Sequence, residues 1–290
     1  MPMLGVHNQI KSCAKAHWDA YTRAASPFSP TCMRPLLGRY VSKGSDLKIF
    51  IIVIVLCLTA CTSMENEQYQ NEKMEFAGFK SGDLVYEGAI TKDLNQNVFE
   101  AFHKADTKPK KLIISSPGGE IGLGMELGEW VREHNLDIEV SNLCASSCAN
   151  YVFTAANKKY LRKNSVLIWH GSAWQKNWNT DGVPENFLSE YLIPMREREA
   201  QLFEKLGVDN LLTVYGQIQI TWWQQVLQLF GQYNTGWDYS IEDLNRFGIS
   251  NIILIDNEWD WRKYRPNKSN KVLRLKVSNE YIFKLRRFET

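Results

Sequence analysis

Three short segments of this 290-residue chain hold residue types that could carry acyl-transfer chemistry. Gly118 and Gly119, in SSPGGEIG, have no Cβ, so backbone N–H groups there can approach a substrate closely. Ser146, Ser147 and Cys148, in LCASSCAN, offer hydroxyl or thiol nucleophiles at a predicted helix start. Helix N–H groups favour negative charge at such a start. His170, at the end of SVLIWH, is a candidate general base and acid. Attack on an amide carbonyl needs an activated nucleophile, a proton carrier and donors aimed at the developing oxyanion. Singly, each segment has a commoner structural use as a turn, an N-cap or a core histidine. Their order along the chain raises the functional reading.

The elements around these segments alternate. LVYEGAI, 84–90, reads as a strand, and Thr91 is a plausible N-cap for a helix carrying Val98, Phe99 and Phe102. Lys111 to Ser115 is a short apolar strand. From Glu120 to His134, Leu123, Leu127, Trp130 and Val131 make one helical stripe. Ile138–Asn142 and Val166–Trp169 read as strands on either side of a helical Cys148–Ala156. Strands alternating with helices imply βαβ units and a mostly parallel α/β sheet. In such sheets, sites lie at the carboxyl ends of the strands, where the diglycine, the serines and His170 all fall.

After His170 the sequence becomes helical and rich in tryptophan. A helix is expected over 185–206 with a break at Pro194, and a more buried one over 218–230. Ser240 and Asp243 suit a capping box, Gly248 a helix C-terminus, and NIILI, 251–255, a buried strand. Trp169, Trp174 and Trp178 line either a groove beside His170 or the core, and the core reading is favoured.

The formal charge of +2 gives no indication of a nucleic-acid partner, and 44% hydrophobic residues suit a real core. Residues 262–287 hold ten Lys or Arg against Glu280 alone; VLRLKV, 272–277, alternates as a half-solvated strand does. Lys43 and Lys48 precede an apolar run, 49–60, of signal-peptide length that ends in LTAC. This resembles the lipobox of bacterial lipoproteins, with Cys61 as the lipidated residue. The expected organisation is therefore an extension and signal peptide over 1–60, a lipidated tether over 61–77, the α/β domain over 78–257 and a basic C-terminal segment over 258–290. The expected location is the bacterial cell envelope, as a membrane lipoprotein facing the periplasm and held by its lipid anchor. Only Cys144 and Cys148 would then remain, in a compartment where such a pair can form a disulfide, with two small buried thiols as the equal alternative. No second Cys/His pair stands at ligand spacing, so no metal or other cofactor is expected.

YEGAIT, 86–91, SPGGEIGLGM, 116–125, and NSVLIWH, 164–170, together resemble the Clp protease proteolytic-subunit family within the crotonase-like superfold; Ser240–Ile255 does so weakly. The chain also resembles periplasmic Clp-like proteins whose nucleophile is flanked by two cysteines. The resemblance implies a repeated ββα spiral with a helical segment after the catalytic His, a serine endopeptidase acting on peptides or proteins, and a homo-oligomer. It implies His170 as base, with oxyanion N–H groups from Gly118–Gly119 and from the residue after the nucleophile. Three residues compete for that nucleophile. Counting back from Ala155-Ala156 and His170 selects Ser147, which is favoured and makes Cys148 N–H the second donor. Matching the flanking cysteines selects Ser146, and counting forward from SPGG selects Cys148. Cys148 and Ala149 replace the Gly and Met usual after the nucleophile. The triad acid has no motif, and Asp209 and Asp238 are the candidates. The alternative to a hydrolase is a non-catalytic Clp-like binding or scaffold lipoprotein.

Overall fold

The computed structural model describes residues 75–176, 178, 186–218, 235–269 and 271–288. The signal run, Cys61, most of the tether and nearly all of the 218–230 helix lie outside them. Among the described residues, no helix is long and apolar enough to cross a membrane.

The first strands are β1, Phe76–Lys80, and β2, Asp83–Glu87, which pair antiparallel. Every later pairing in the main sheet is parallel: β2 with β3, Lys111–Ser116; β3 with β4, Asp137–Ala145; and β5, Lys159–Leu161, with β8, Ile252–Leu254. The main-sheet order is β1-β2-β3-β4-β5-β8, and β6, Val166–Ile168, adds to β4 from outside that path. The mostly parallel α/β sheet expected from the alternating pattern is present.

Helices close the crossovers. In α1, Lys92–Lys104, Thr91 accepts a hydrogen bond from Leu94 N–H, and Leu94, Val98 and Phe102 are buried. In α2, Ile121–Glu133, Glu120 proves to be the N-cap, its carboxylate accepting from the N–H groups of Gly122 and Leu123. Pro194 starts α3, Ile193–Leu206, as its missing N–H allows, and a π-helical turn, Leu188–Leu192, precedes it. In α4, Ile241–Arg246, Ser240 caps the N–H of Asp243. The reciprocal half of a capping box is absent, because the Asp243 carboxylate accepts from the Ser240 hydroxyl.

Strand β4 is nine residues long and divides its edge between two partners. Ile138–Val140 pair with β5, and Leu143–Ala145 pair with β6. Between the two pairings the register against β3 shifts, from Ile114↔Val140 to Ser116↔Cys144. Extra residues on one strand bend it. The bend carries the end of β4 toward β6 and the end of β3.

The basic segment expected to follow the domain is instead packed into it. Val272–Leu275 forms β9, parallel to β7, Gly236–Tyr239, and Trp261 and Val277 are fully buried. Arg262 and Arg274 both bind the Asp238 carboxylate, and Arg287 binds that of Asp209. Three of the ten cations thus neutralise buried acids rather than lying on a solvated face.

Candidate functional site

Ser146 lies between the last residue of β4 and a helix, and its φ is +55°. An L-residue other than Gly, Asn or Asp rarely adopts that conformation, which costs about 1–2 kcal/mol. The turn is held on both sides. Ser146 N–H donates to Ile168 O on β6 at 2.9 Å, and Ser146 O accepts from Asn150 N–H at 2.8 Å. Cys144 and Cys148 form a disulfide around it, with Cα atoms 5.2 Å apart. Among the described residues, the Ser146 hydroxyl makes no hydrogen bond.

Ser147 is differently placed. Its φ of −56° is helical, and its hydroxyl donates to Gly119 O at 2.8 Å. A Cβ added to Gly124 would stand 2.5 Å from Ser147 Cβ, so this side chain fills the space against α2. Cys148 is committed to the disulfide and fully buried. The helix that follows is a π-helix over Cys148–Phe153, in place of the α-helix that residue counting assumes. A π-turn takes up an extra residue relative to an α-helix.

The diglycine lies directly against this turn. Gly118 has φ +93°, and an added Cβ would stand 2.5 Å from Ala145 O, 2.7 Å from Ser146 Cβ and 2.9 Å from Ser147 N. Only glycine fits there. Gly118 N–H is held by the Ser116 hydroxyl at 3.1 Å, and Gly118 O accepts from Ile90 N–H at 2.8 Å. The Ser116↔Cys144 register is what sets the two turns side by side.

His170 leaves the sheet at the same end. Ala145 pairs with Ile168, so β4 and β6 end in register, with Ser146 following one and Trp169-His170 the other. Trp169 makes a reciprocal backbone bridge with Trp237, with both N···O distances 2.8 Å. The His170 imidazole is half-buried, and burial pushes its pKa below the ordinary histidine value. Burial thus favours the neutral imidazole, the form a general base requires. Gln217 Nε2 donates to His170 O at 3.0 Å, and Asn150 Nδ2 to Gly171 O at 2.8 Å.

The two acids considered for the triad are occupied elsewhere. Asp209 is fully buried and accepts from Leu211 N–H, Tyr281 Oη, Lys284 N–H and Arg287. Asp238 is fully buried and accepts from Trp261 Nε1, Arg262 and Arg274. Each holds the C-terminal segment. Of the tryptophans, Trp169 is wholly core, while Trp174 stacks on Phe288 and Trp178 packs at Phe187.

Sequence reasoning missed Glu199, a fully buried carboxyl on α3. Tyr151 Oη donates to its Oε2 at 2.8 Å, and Ala173 N–H donates to the same oxygen at 3.1 Å. Burial raises its pKa to about 7, against the opposing pull of Ser172, Tyr151, the Ala173 N–H and Arg196. A signal was present: Glu199 stands on the helical stripe of Met195, Leu202, Phe203 and Leu206, where an apolar residue is the rule.

A recess of about 630 Å³ lies at the opposite ends of the strands, lined in part by Asn135, Asn157, Lys159 and Asn251. Lys159 is buried there, and desolvation lowers its pKa to about 8. Its Nζ caps the end of the preceding helix at Ala156 O, 2.7 Å, which accounts for its placement. No cluster of metal-ligating side chains occurs among the described residues.

No protein-family model and no curated protein matches the chain. Among solved structures it is similar to ClpP1 from Listeria monocytogenes, with 19% identity and a TM-score of 0.38, over 60% of this chain and 91% of that one. It is also similar to a peptidase from Plasmodium falciparum, with 11% identity and a TM-score of 0.34, over 42% of this chain and 76% of that one.

Proposed function

We propose that the chain is a serine hydrolase whose nucleophile is Ser146, with His170 as base. The observation that carries this reading is the Ser146 turn. A strained, disulfide-bracketed serine with an uncommitted hydroxyl sits against Gly118, at the sheet end where β6 delivers His170. Strain of this kind persists where the surrounding structure holds it, and it clusters at functional sites. In the proposed reaction, His170 takes the Ser146 proton as Oγ attacks a carbonyl carbon. The acyl-enzyme forms as His170 returns the proton to the leaving group, and water then releases the acid by the same route. Oxyanion donors come from Gly119 N–H, the Gly118 N–H being held by Ser116 Oγ, and from Ser147 N–H, the amide next after the nucleophile. The sequence resemblance makes the substrate a peptide.

A serine-directed fluorophosphonate probe tests the assignment. Labelling is expected in the wild type, lost in Ser146→Ala and retained in Ser147→Ala. Loss in Ser147→Ala with retention in Ser146→Ala reverses the nucleophile. No labelling of the wild type, beside a labelled control hydrolase, leaves a binding or scaffold protein.

The location belongs to the same proposal: an envelope lipoprotein anchored through Cys61, supported by the apolar run ending in LTAC. Cys61→Ala is expected to abolish incorporation of labelled palmitate in cells, and unchanged incorporation removes the anchor.

A further inference from the structure

Glu199 stands apart among the buried carboxylates of the described residues. Glu139, Asp209 and Asp238 are paired with Lys or Arg, and Glu199 has no ion-pair partner. Its bonds go to two places that matter for the proposed chemistry. Tyr151 belongs to the helix that starts at the Ser146 turn, and Ala173 is three residues beyond His170. The neighbouring Asn150, also buried, holds Gly171 O directly. Consecutive residues of the helix thus grip the loop after His170, one directly and one through Glu199. From α3, Arg196 completes the hold by donating Nε to Ala173 O at 2.9 Å.

We propose that Glu199 is a positioning residue, which fixes the loop carrying His170 to the helix that begins at Ser146; this rests on the catalytic reading above. A proton-transfer pair works only within hydrogen-bond reach, and a displacement of about 1 Å can cost on the order of a hundredfold in rate. The Trp169–Trp237 bridge and the bonds from Gln217 and Asn150 hold the loop as far as Gly171. Glu199 extends that hold to Ala173 by accepting from both sides on a single oxygen. Its removal leaves Tyr151 Oη and Ala173 N–H buried without an acceptor, so both sides relax. A neutral carboxyl keeps that oxygen as acceptor, which makes glutamine the conservative replacement.

The test compares wild type, Glu199→Gln and Glu199→Ala on two readouts. The first is the rate of fluorophosphonate labelling. Glu199→Ala is expected to lose at least tenfold, and Glu199→Gln to stay within about threefold, the geometric cost being of that order. The second is hydrogen exchange at the amides of 171–174, which needs no catalysis. Exchange there is expected to rise at least tenfold in Glu199→Ala and to return to the wild-type rate in Glu199→Gln. Unchanged exchange in Glu199→Ala overturns the proposal. So does raised exchange with undiminished labelling. If the wild type is not labelled at all, the catalytic reading and the positioning role both fail, and exchange then reports only whether the clamp exists. If Glu199→Ala does not fold, a Glu199→Gln variant with tenfold slower labelling overturns the proposal on its own.

Discussion

The C-terminal segment and the floor of the candidate site both bury carboxyl groups, and they do so in opposite ways. Asp209 and Asp238 are wrapped by guanidinium groups, tyrosine or tryptophan donors and backbone N–H groups, so their charge is fully answered. Glu199 meets only neutral donors, and one of its oxygens has no partner. Among the described residues, Asn150 Oδ1 and the indole nitrogens of Trp169 and Trp174, which neighbour Tyr151, His170 and Ala173 in sequence, are also buried without a hydrogen-bond partner. A saturated network makes a static lock. An incompletely satisfied one keeps a group able to titrate near neutrality.

The largest effect should come from breaking the lock. Asp238→Ala removes the acceptor shared by Arg262, Arg274 and Trp261, and should cost about 3–5 kcal/mol. Urea unfolding measures the loss. Labelling per folded molecule should stay at the wild-type level, and a selective loss would return Asp238 to the active site.

On the site side, replacing Cys144 and Cys148 together by alanine opens a five-residue ring and should cost about 2 kcal/mol by loop-closure entropy. Labelling should fall by more than the stability change explains, because the ring brackets Ser146. Equal labelling would assign the disulfide to stability alone.

A smaller effect of opposite sign is expected from Ser146→Gly. Glycine accepts φ +55° freely, so the variant should gain about 1 kcal/mol in chemical unfolding while losing all labelling. Ser147→Gly, at a helical φ, should lose stability instead.

The gentlest contrast is in pH. The folded-state pKa of Glu199 is raised to about 7, above its unfolded value near 4.5. The folded protein therefore holds this proton where the unfolded chain has released it. The resulting stabilisation is fully present below about pH 4.5 and is lost as pH rises to about 7, with a slope of at most about 1.4 kcal/mol per pH unit. Subtracting the Glu199→Gln stability curve from that of the wild type isolates this slope. The difference should flatten above pH 7, and a flat difference from pH 4.5 upward removes the titration.

Much of this molecule was legible in its residues. Alternating apolar strands and amphipathic helices gave a mostly parallel α/β sheet, because hydrophobic periodicity is a local property. Turn chemistry was equally local: Thr91 caps α1, Gly118 takes a left-handed φ, and Gly248 follows α4 with φ +98°. The placement of the diglycine, the serines and His170 just after strands, β3, β4 and β6, also came from order alone. The one-residue choice among Ser146, Ser147 and Cys148 did not, because sequence does not distinguish a π-turn from an α-helix by counting. Only the folded chain shows Ser147 spent on Gly119 and Cys148 on Cys144. Only it pairs Asp209 and Asp238 with arginines as much as 78 residues away, and brings Glu199 under Tyr151 and Ala173. Local sequence sets which elements form and where chains turn. Which buried polar groups find partners depends on contacts between distant segments, and at this site that pairing separates the locked acids from the one left free to titrate.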